Sequence, residues 1–177
     1  RGSGPTVQRD PRTHPPDRGQ GAEEAQAPEQ VAEAQEFLGS VSYSLAEQAH
    51  IDRLTMRLQS DAVKGAYAHL MKWAEDRRGL YLFPISRGAF SAIHLGTKMN
   101  SRPYADCEFG FTGAASHMRW WFRRPCFDSG ILGSDAVLTY FGGAKLLKSG
   151  EVCLDIKSVS DADRLCEVLN ARLDQKA

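Results

Sequence analysis

The sequence has no excess of charge of either sign, because 22 lysines and arginines balance 22 aspartates and glutamates. This balance excludes a uniformly polybasic nucleic-acid coat and an acidic solvating tail. No run approaches the roughly 18 apolar residues that cross a bilayer, so no transmembrane segment is predicted. The 177 residues are 42% hydrophobic, which is typical of a globular chain that buries a core without disulfides or metal.

Cysteine is scarce and widely spaced. The four cysteines, Cys107, Cys126, Cys153 and Cys166, form no C-x-x-C pair and have no histidines at zinc-finger spacing. Free thiols in apolar runs favour a reducing intracellular compartment, either the cytoplasm or the matrix side of a mitochondrion. The glycines form no phosphate-binding fingerprint either, so neither metal nor cofactor is predicted.

Proline is concentrated at one end of the chain. Five of the eight prolines lie within residues 1–30, where Val7 is the only large hydrophobic residue. Such a segment buries too little apolar surface to offset its ordering entropy, which predicts a low-complexity arm that orders on binding. A start at Arg1 fits a mature chain after removal of a targeting peptide, a cloning remnant or a fragment. We expect residues 31–177 to form a single domain.

Helical periodicity dominates residues 31–78. A short helix is predicted at 29–38, and Ser44 with Glu47 forms a capping box for the next one. Apolar residues then recur at three- and four-residue spacing, with a break at Ser60–Asp61 where serine can cap a second helix. This helix is predicted to run to about Arg78 and to stop at Gly79.

From residue 80 to 124 the period changes to two, which indicates strands. Residues 80–85 and 90–95 predict a hairpin around 86–88, and two further strands alternate through 107–112 and 118–123. Residues 134–141 fit a short helix or a strand, and a turn follows at Gly142–Gly143. A last strand near 152–157 precedes a helix capped at Ser160–Asp161, ending near 174. The pattern predicts an α+β fold in which helices pack on a small antiparallel sheet.

Charge is unevenly distributed although it sums to zero. Residues 77–124 carry eight basic and two acidic side chains, whereas residues 1–38 carry four basic and seven acidic ones. Within the basic region, Trp120 and Phe122 are expected in the core, with arginines on the opposite side of the strand. Guanidinium groups beside an aromatic ring suit a protein partner, single-stranded RNA or DNA, or anionic lipid. The candidate binding residues are Arg102, Arg119, Trp121, Arg123 and Arg124.

A second pattern lies in residues 134–157. Asp135, followed twenty residues later by Asp155-Ile156-Lys157, resembles the motif of PD-(D/E)XK nucleases, with Ser134 where that motif has proline. The resemblance implies that the two carboxylates would hold Mg²⁺ and that the lysine would position or activate the attacking water.

The five histidines are not grouped at metal-ligand spacing, and His94 is expected to be an inward, satisfied residue of its strand. No complete catalytic set is present. The leading hypothesis is therefore a non-catalytic accessory subunit of a larger assembly, such as a mitochondrial respiratory or ribosomal complex. It would dock through its N-terminal arm and the basic aromatic strand. The alternatives are a single-stranded nucleic-acid-binding domain and the Mg²⁺-dependent nuclease.

Overall fold

The computed structural model describes residues 41–176 of the chain. The predicted arm at 1–30, the predicted helix at 29–38 and the expected domain boundary between them lie outside the described residues. Within the described part, no helix is long and apolar enough to cross a membrane.

Two helices open the described region. Helix α1 (Leu45–Thr55) begins with the predicted capping box, in which Ser44 Oγ accepts from the Glu47 amide at 3.3 Å and Glu47 Oε2 accepts from the Ser44 amide at 2.8 Å. Helix α2 (Asp61–Asp76) begins after Ser60 as expected, although the Ser60 side chain makes no capping hydrogen bond. Both helices turn their apolar stripes into one core.

Six strands form one sheet in the order β1-β2-β3-β4-β6-β5, and every neighbouring pair is antiparallel. The predicted hairpin is confirmed, but its turn lies at Gly88–Ala89, where Gly88 adopts a φ of +61° that side-chain-bearing residues avoid. The two-residue strand β5 was not predicted. The strands are β1 (Tyr81–Arg87), β2 (Phe90–Gly96), β3 (Phe109–Gly113), β4 (Met118–Phe122), β5 (Lys145–Leu146) and β6 (Val152–Ile156).

One face of the sheet carries the core. Trp120 and Phe111 are paired across β3 and β4, and their rings stack at a centroid distance of 5.7 Å. From α2, Tyr67 meets Phe111 edge-on at 6.2 Å, and Trp73 meets Trp120 at 6.4 Å. Trp120 and Phe122 are fully buried, as the alternation of β4 predicted.

The C-terminal part closes the same face. The alternatives for residues 134–141 resolve as helix α4 (Ser134–Tyr140), which follows a short unpredicted helix α3 (Arg124–Asp128). Helix α5 (Val159–Leu173) packs beside α2.

The predicted cap of α5 was wrong by two residues. Ser158, rather than Ser160, forms the capping box: its hydroxyl accepts from the Asp161 amide at 3.3 Å, and Asp161 Oδ2 accepts from the Ser158 amide at 3.0 Å. The helix starts earlier because this reciprocal pair satisfies two free amide groups at once. The α+β fold, with its helices packed on an antiparallel sheet and closed by a strand and a helix, is confirmed.

Candidate functional site: the open face of the sheet

The second face of the sheet, here called the open face, is the candidate site. Side chains of alternate residues point to opposite faces of a strand, and α1, α2, α4 and α5 pack against the face that carries Trp120. The long connection between β2 and β3 reaches over one end of the open face. The strand register aligns one residue from each strand in a central row across the open face: Phe83, His94, Gly110, Trp121, Cys153 and Lys145.

Aromatic rings occupy the centre of this face. Trp121 is half-buried between Gly110 and Cys153, its partners on the neighbouring strands. The Phe90 ring lies 6.1 Å from the Trp121 ring, within the range of favourable aromatic pairs. Phe90 is 39% exposed and Tyr104, on the β2–β3 connection, is 49% exposed. The open face therefore presents two exposed rings, Phe90 at the start of β2 and Tyr104 on the connection, together with a partly exposed Trp121.

Arg119 is neutralised by a carboxylate on the next strand. Its Nε donates to Asp155 Oδ1 at 2.9 Å, and His117 Nε2 lies 3.7 Å from the same oxygen. Partial burial acts to raise the pKa of Asp155, but the hydrogen bonds and charge of Arg119 outweigh it and hold that pKa below its ordinary value. Asp155 thus stays ionised beside Arg119 at neutral pH.

Arg123 is a structural clamp as well as a charged residue. Its Nε donates to Glu151 at 2.9 Å, while Nη1 and Nη2 each donate at 3.2 Å to the carbonyl oxygens of Pro103 and Tyr104. The side chain is only 16% exposed. Arg123 therefore fastens the β2–β3 connection onto the sheet, and little of its guanidinium group remains free for a ligand.

His94 is buried, as expected of an inward residue, but it lies on the open face, and the expectation that it is fully satisfied was wrong because its Nε2 has no hydrogen-bond partner among the described residues. It is 4% exposed because the Tyr104 ring covers it, at a centroid distance of 4.9 Å. Arg123 Nη1 lies 2.9 Å from His94 Nδ1, and a guanidinium can only donate, so the ring proton is placed on Nε2. Burial, and then the charge of Arg123, lower the pKa of His94 to about 4. The ring is neutral at pH 7.

The other two predicted binding arginines lie outside the open face. Arg102 belongs to the β2–β3 connection and makes a two-pronged ion pair with Asp106, at 2.7 and 2.9 Å. Arg124 is exposed as the first residue of α3. Of the five candidates, Arg119, Trp121 and Arg123 therefore lie on the open face. Arg102 is paired within the β2–β3 connection, and Arg124 is at the start of α3.

The residues of the nuclease motif lie on α4, on β6 and in the loop that follows β6. Asp135 is in the first turn of α4. Asp155 is on β6 and is paired with Arg119 of β4, and Lys157 is an exposed residue just beyond the end of β6. Across residues 41–176, no group of three or more His, Cys, Asp or Glu side chains is placed to hold a metal ion.

The cysteines are buried and none is in a disulfide. Burial raises the pKa of the Cys107, Cys126 and Cys166 thiols to about 12, so these thiols are poor nucleophiles at neutral pH.

A cavity of about 630 Å³ lies away from the open face, where α2 and α5 end. Two of its basic residues, Arg77 and Lys176, follow these helix ends closely, and Arg77 is paired with Asp174. Cations are stabilised there by the negative end of each helix dipole, so a ligand is not needed to explain them.

Sequence reasoning missed Phe90, Tyr104 and Glu151, and it named Asp155 only as a metal ligand of the nuclease motif, not as the partner of Arg119. Alternation along β2 would have grouped Phe90 with Ala92 and His94, but not with Trp121, because the strand order is not encoded in local periodicity. The partners Asp155 and Glu151 lie 36 and 28 residues from their arginines.

Comparisons with models of known protein families, with curated proteins and with solved structures gave no match to this chain. The functional argument therefore depends on the chemistry of the open face itself.

Proposed function

We propose that this chain is a non-catalytic binding subunit that docks a protein partner through the open face of its sheet. The observation that carries the proposal is an aromatic pair, the half-buried Trp121 and the exposed Phe90, with arginines on the strand of Trp121 that are already neutralised by carboxylates of the same face. A partner would cover the rings and leave the ion pairs at the margin.

This arrangement matches the anatomy of protein interfaces. Their most buried part is enriched in aromatic residues and arginine, while the polar rim excludes water without contributing much binding energy. Trp121 sits at the middle of the face with Arg119 two residues before it and Arg123 two residues after it. We therefore expect Trp121 to contribute most to binding, and the arginines to set orientation.

The ion pairs favour a protein over a polyanion. A phosphate that approached Arg119 would have to compete with Asp155 at 2.9 Å, and one that approached Arg123 would compete with Glu151 at the same distance. Each contact would also bring the phosphate close to a carboxylate of like charge. A protein surface with alternating charges meets no such repulsion.

The wider setting that we propose is a multi-subunit assembly in a reducing compartment. The buried free thiols support that compartment, since they need no oxidising environment to fold. A mitochondrial respiratory or ribosomal complex is the specific assembly that the arm-like composition of residues 1–30 suggests. The arm would supply a second contact besides the open face.

A pull-down with quantitative mass spectrometry from the source organism tests this function. Phe90→Ala and Tyr140→Ala form a matched pair, because these aromatic residues are 39% and 38% exposed and only Phe90 is on the open face. We expect a defined set of proteins retained by the wild type and by Tyr140→Ala. That set should fall about tenfold or more with Trp121→Ala and with Phe90→Ala. Equal retention by all four proteins would contradict the proposal.

Single-stranded nucleic acid is the second candidate, favoured by one specific observation. Arg87 on β1 and Lys145 on β5 make no ion pair within the described residues, and these two strands form the edges of the sheet whose central row holds Trp121. Bases could stack on Trp121 while these cations contact phosphates. Fluorescence anisotropy with a labelled single-stranded oligonucleotide should then show affinity that falls steeply with salt and is lost with Trp121→Ala. Binding that is absent, or insensitive to salt, would remove this candidate.

A further inference from the structure

We propose that acid releases the β2–β3 connection (residues 97–108) from the open face, through protonation of the histidine that lies beneath it, His94. This inference goes beyond the proposed docking function, because it concerns a conformational change of this chain alone. It follows from how the connection is fastened to the sheet and from the position of one guanidinium nitrogen.

The connection is fastened mainly by polar contacts. Within residues 98–106, Ser101 alone is buried, and Met99 is 75% exposed. At the end of the connection, Glu108 accepts from the amide of Thr97 at 2.9 Å and from its hydroxyl at 2.6 Å, which ties the two ends together. Segments with few buried apolar contacts open locally at a lower free energy than the rest of a domain, so this connection can leave the sheet while the core stays folded.

Arg123 joins the middle of the connection to the sheet. Its Nη1 and Nη2 donate to the carbonyl oxygens of Pro103 and Tyr104, each at 3.2 Å. The same Nη1 lies 2.9 Å from His94 Nδ1, so one guanidinium nitrogen contacts both the imidazole and the connection. A change that drives this nitrogen away from His94 therefore also disturbs the bond that holds the connection.

Protonation of His94 is such a change. The neutral ring accepts from Arg123 at Nδ1, and a proton there would set an imidazolium N–H against a guanidinium N–H, two donors of like charge. The Tyr104 ring covers the pair and keeps water from screening the repulsion. In the released state water solvates both cations. The released state therefore binds the proton more tightly, and acid favours it.

The electrostatics of the site agrees with this geometry. Burial, and then the charge of Arg123, hold the pKa of His94 at about 4, against about 6.5 for a solvated histidine. The Pro103 carbonyl has a smaller effect in the opposite direction. The other charged or titratable groups on the same face around His94 are engaged elsewhere or uncharged. They are Glu108 with Thr97, Glu151 with Arg123, Asp155 with Arg119, and the phenols of Tyr81 and Tyr104.

Hydrogen exchange of the full chain at pH 7 and pH 5 tests the release, with each rate divided by the intrinsic rate at that pH. The amides of Thr97, Arg102 and Asp106 donate hydrogen bonds in the fastened connection, so their protection reports on it. A pKa of about 4 when fastened and about 6.5 when released predicts that protection falls about twentyfold from pH 7 to pH 5. At both pH values it should be lower than the protection of amides in the middle of α2 and α5.

Three variants show whether His94 is the origin of the effect. His94→Gln keeps an acceptor for Arg123 and does not titrate, so it should lose the dependence on pH. Tyr104→Ala uncovers the ring, so its connection should already be less protected at pH 7 and should respond less to acid. Tyr140→Ala is the matched control, because Tyr140 is a similarly exposed tyrosine on α4, and it should behave like the wild type.

Three results would overturn the proposal. The first is a wild-type connection that is equally protected at both pH values. The second is a twentyfold fall that persists in His94→Gln. The third is equal protection of the connection and of the helices, because the connection would then open only when the whole domain unfolds. Each of these results leaves the pull-down to decide the proposed function.

Discussion

His94 is a buried histidine whose neutral form is required by its surroundings. Arg123 occupies Nδ1, and Nε2 has no hydrogen-bond partner in the described structure. A second proton would therefore place a positive charge beside a guanidinium group in a site that excludes water. Burial and Arg123 together lower its pKa to about 4, against about 6.5 in an unfolded chain.

This shift predicts a loss of stability in mild acid. Between pH 6.5 and pH 4 the unfolded chain binds a proton at residue 94 that the folded chain does not, so stability falls as pH falls. We expect His94 to contribute a loss of about 2 kcal/mol in the free energy of unfolding from pH 7 to pH 5. Urea unfolding of the wild type and of His94→Gln at both pH values measures it.

Glutamine is chosen because its amide oxygen can still accept from Arg123, while it does not titrate. The loss between pH 7 and pH 5 should be smaller in His94→Gln than in the wild type by about the same 2 kcal/mol. Equal losses in the two proteins would show that residue 94 is not the origin of the acid sensitivity.

At the scale of elements, the last residue of β3, Gly113, packs closely against α1 and the segment that follows it. A Cβ on Gly113 would lie 2.6 Å from Leu58 Cδ2 and 3.3 Å from the carbonyl oxygen of Leu54. Both leucines are buried, so α1 cannot retreat without opening the core. We expect Gly113→Ala to lower the free energy of unfolding by about 1–3 kcal/mol. Thermal or urea unfolding measures this change.

Gly142→Ala is the matched control, because a Cβ at Gly142 meets nothing within 4 Å and its φ is not positive. It should change stability by no more than about 0.5 kcal/mol. A similar loss for both variants would mean that close packing by α1 is not what requires glycine at residue 113.

The start of α5 gives a second element-scale prediction. Ser158→Ala removes the hydroxyl that accepts from the Asp161 amide, and we expect a loss of about 1 kcal/mol. Ser160→Ala is the control, because Ser160 is exposed inside the first turn and should change stability by less than about 0.5 kcal/mol. Urea unfolding of both variants separates the two serines, and a larger loss for Ser160→Ala would contradict the cap.

Elements were predictable from the sequence where one residue pattern determined them. The Ser44–Glu47 box and the alternation of β4 each involve neighbours in sequence, so both were predicted correctly. Strand β5 was missed because two residues carry no period, and α3 was missed because its five residues hold one buried side chain. The wrong serine was chosen as the α5 cap because both Ser158 and Ser160 are followed three residues later by an aspartate, so the local sequence does not separate them.

At the scale of the whole molecule, the uneven charge of the sequence has a structural outcome. Two arginines of the basic region of residues 77–124, Arg119 and Arg123, are neutralised across the sheet by Asp155 on β6 and by Glu151 just before it. The sequence predicted which residues of β4 face away from the core. It could not predict their ion pairs, because these depend on β6 being the neighbour of β4, a long-range contact.

The open face is the central claim, and photocrosslinking tests it most directly. Benzoylphenylalanine replaces Trp121 in one version of the chain and Tyr140, as control, in another, and each is irradiated in the source cells. The account predicts a crosslinked protein adduct on a denaturing gel from position 121 and little or none from position 140. An adduct of twice the chain mass would identify a second copy, and a different mass would identify another protein. No adduct from position 121, in a chain that folds, would contradict the account.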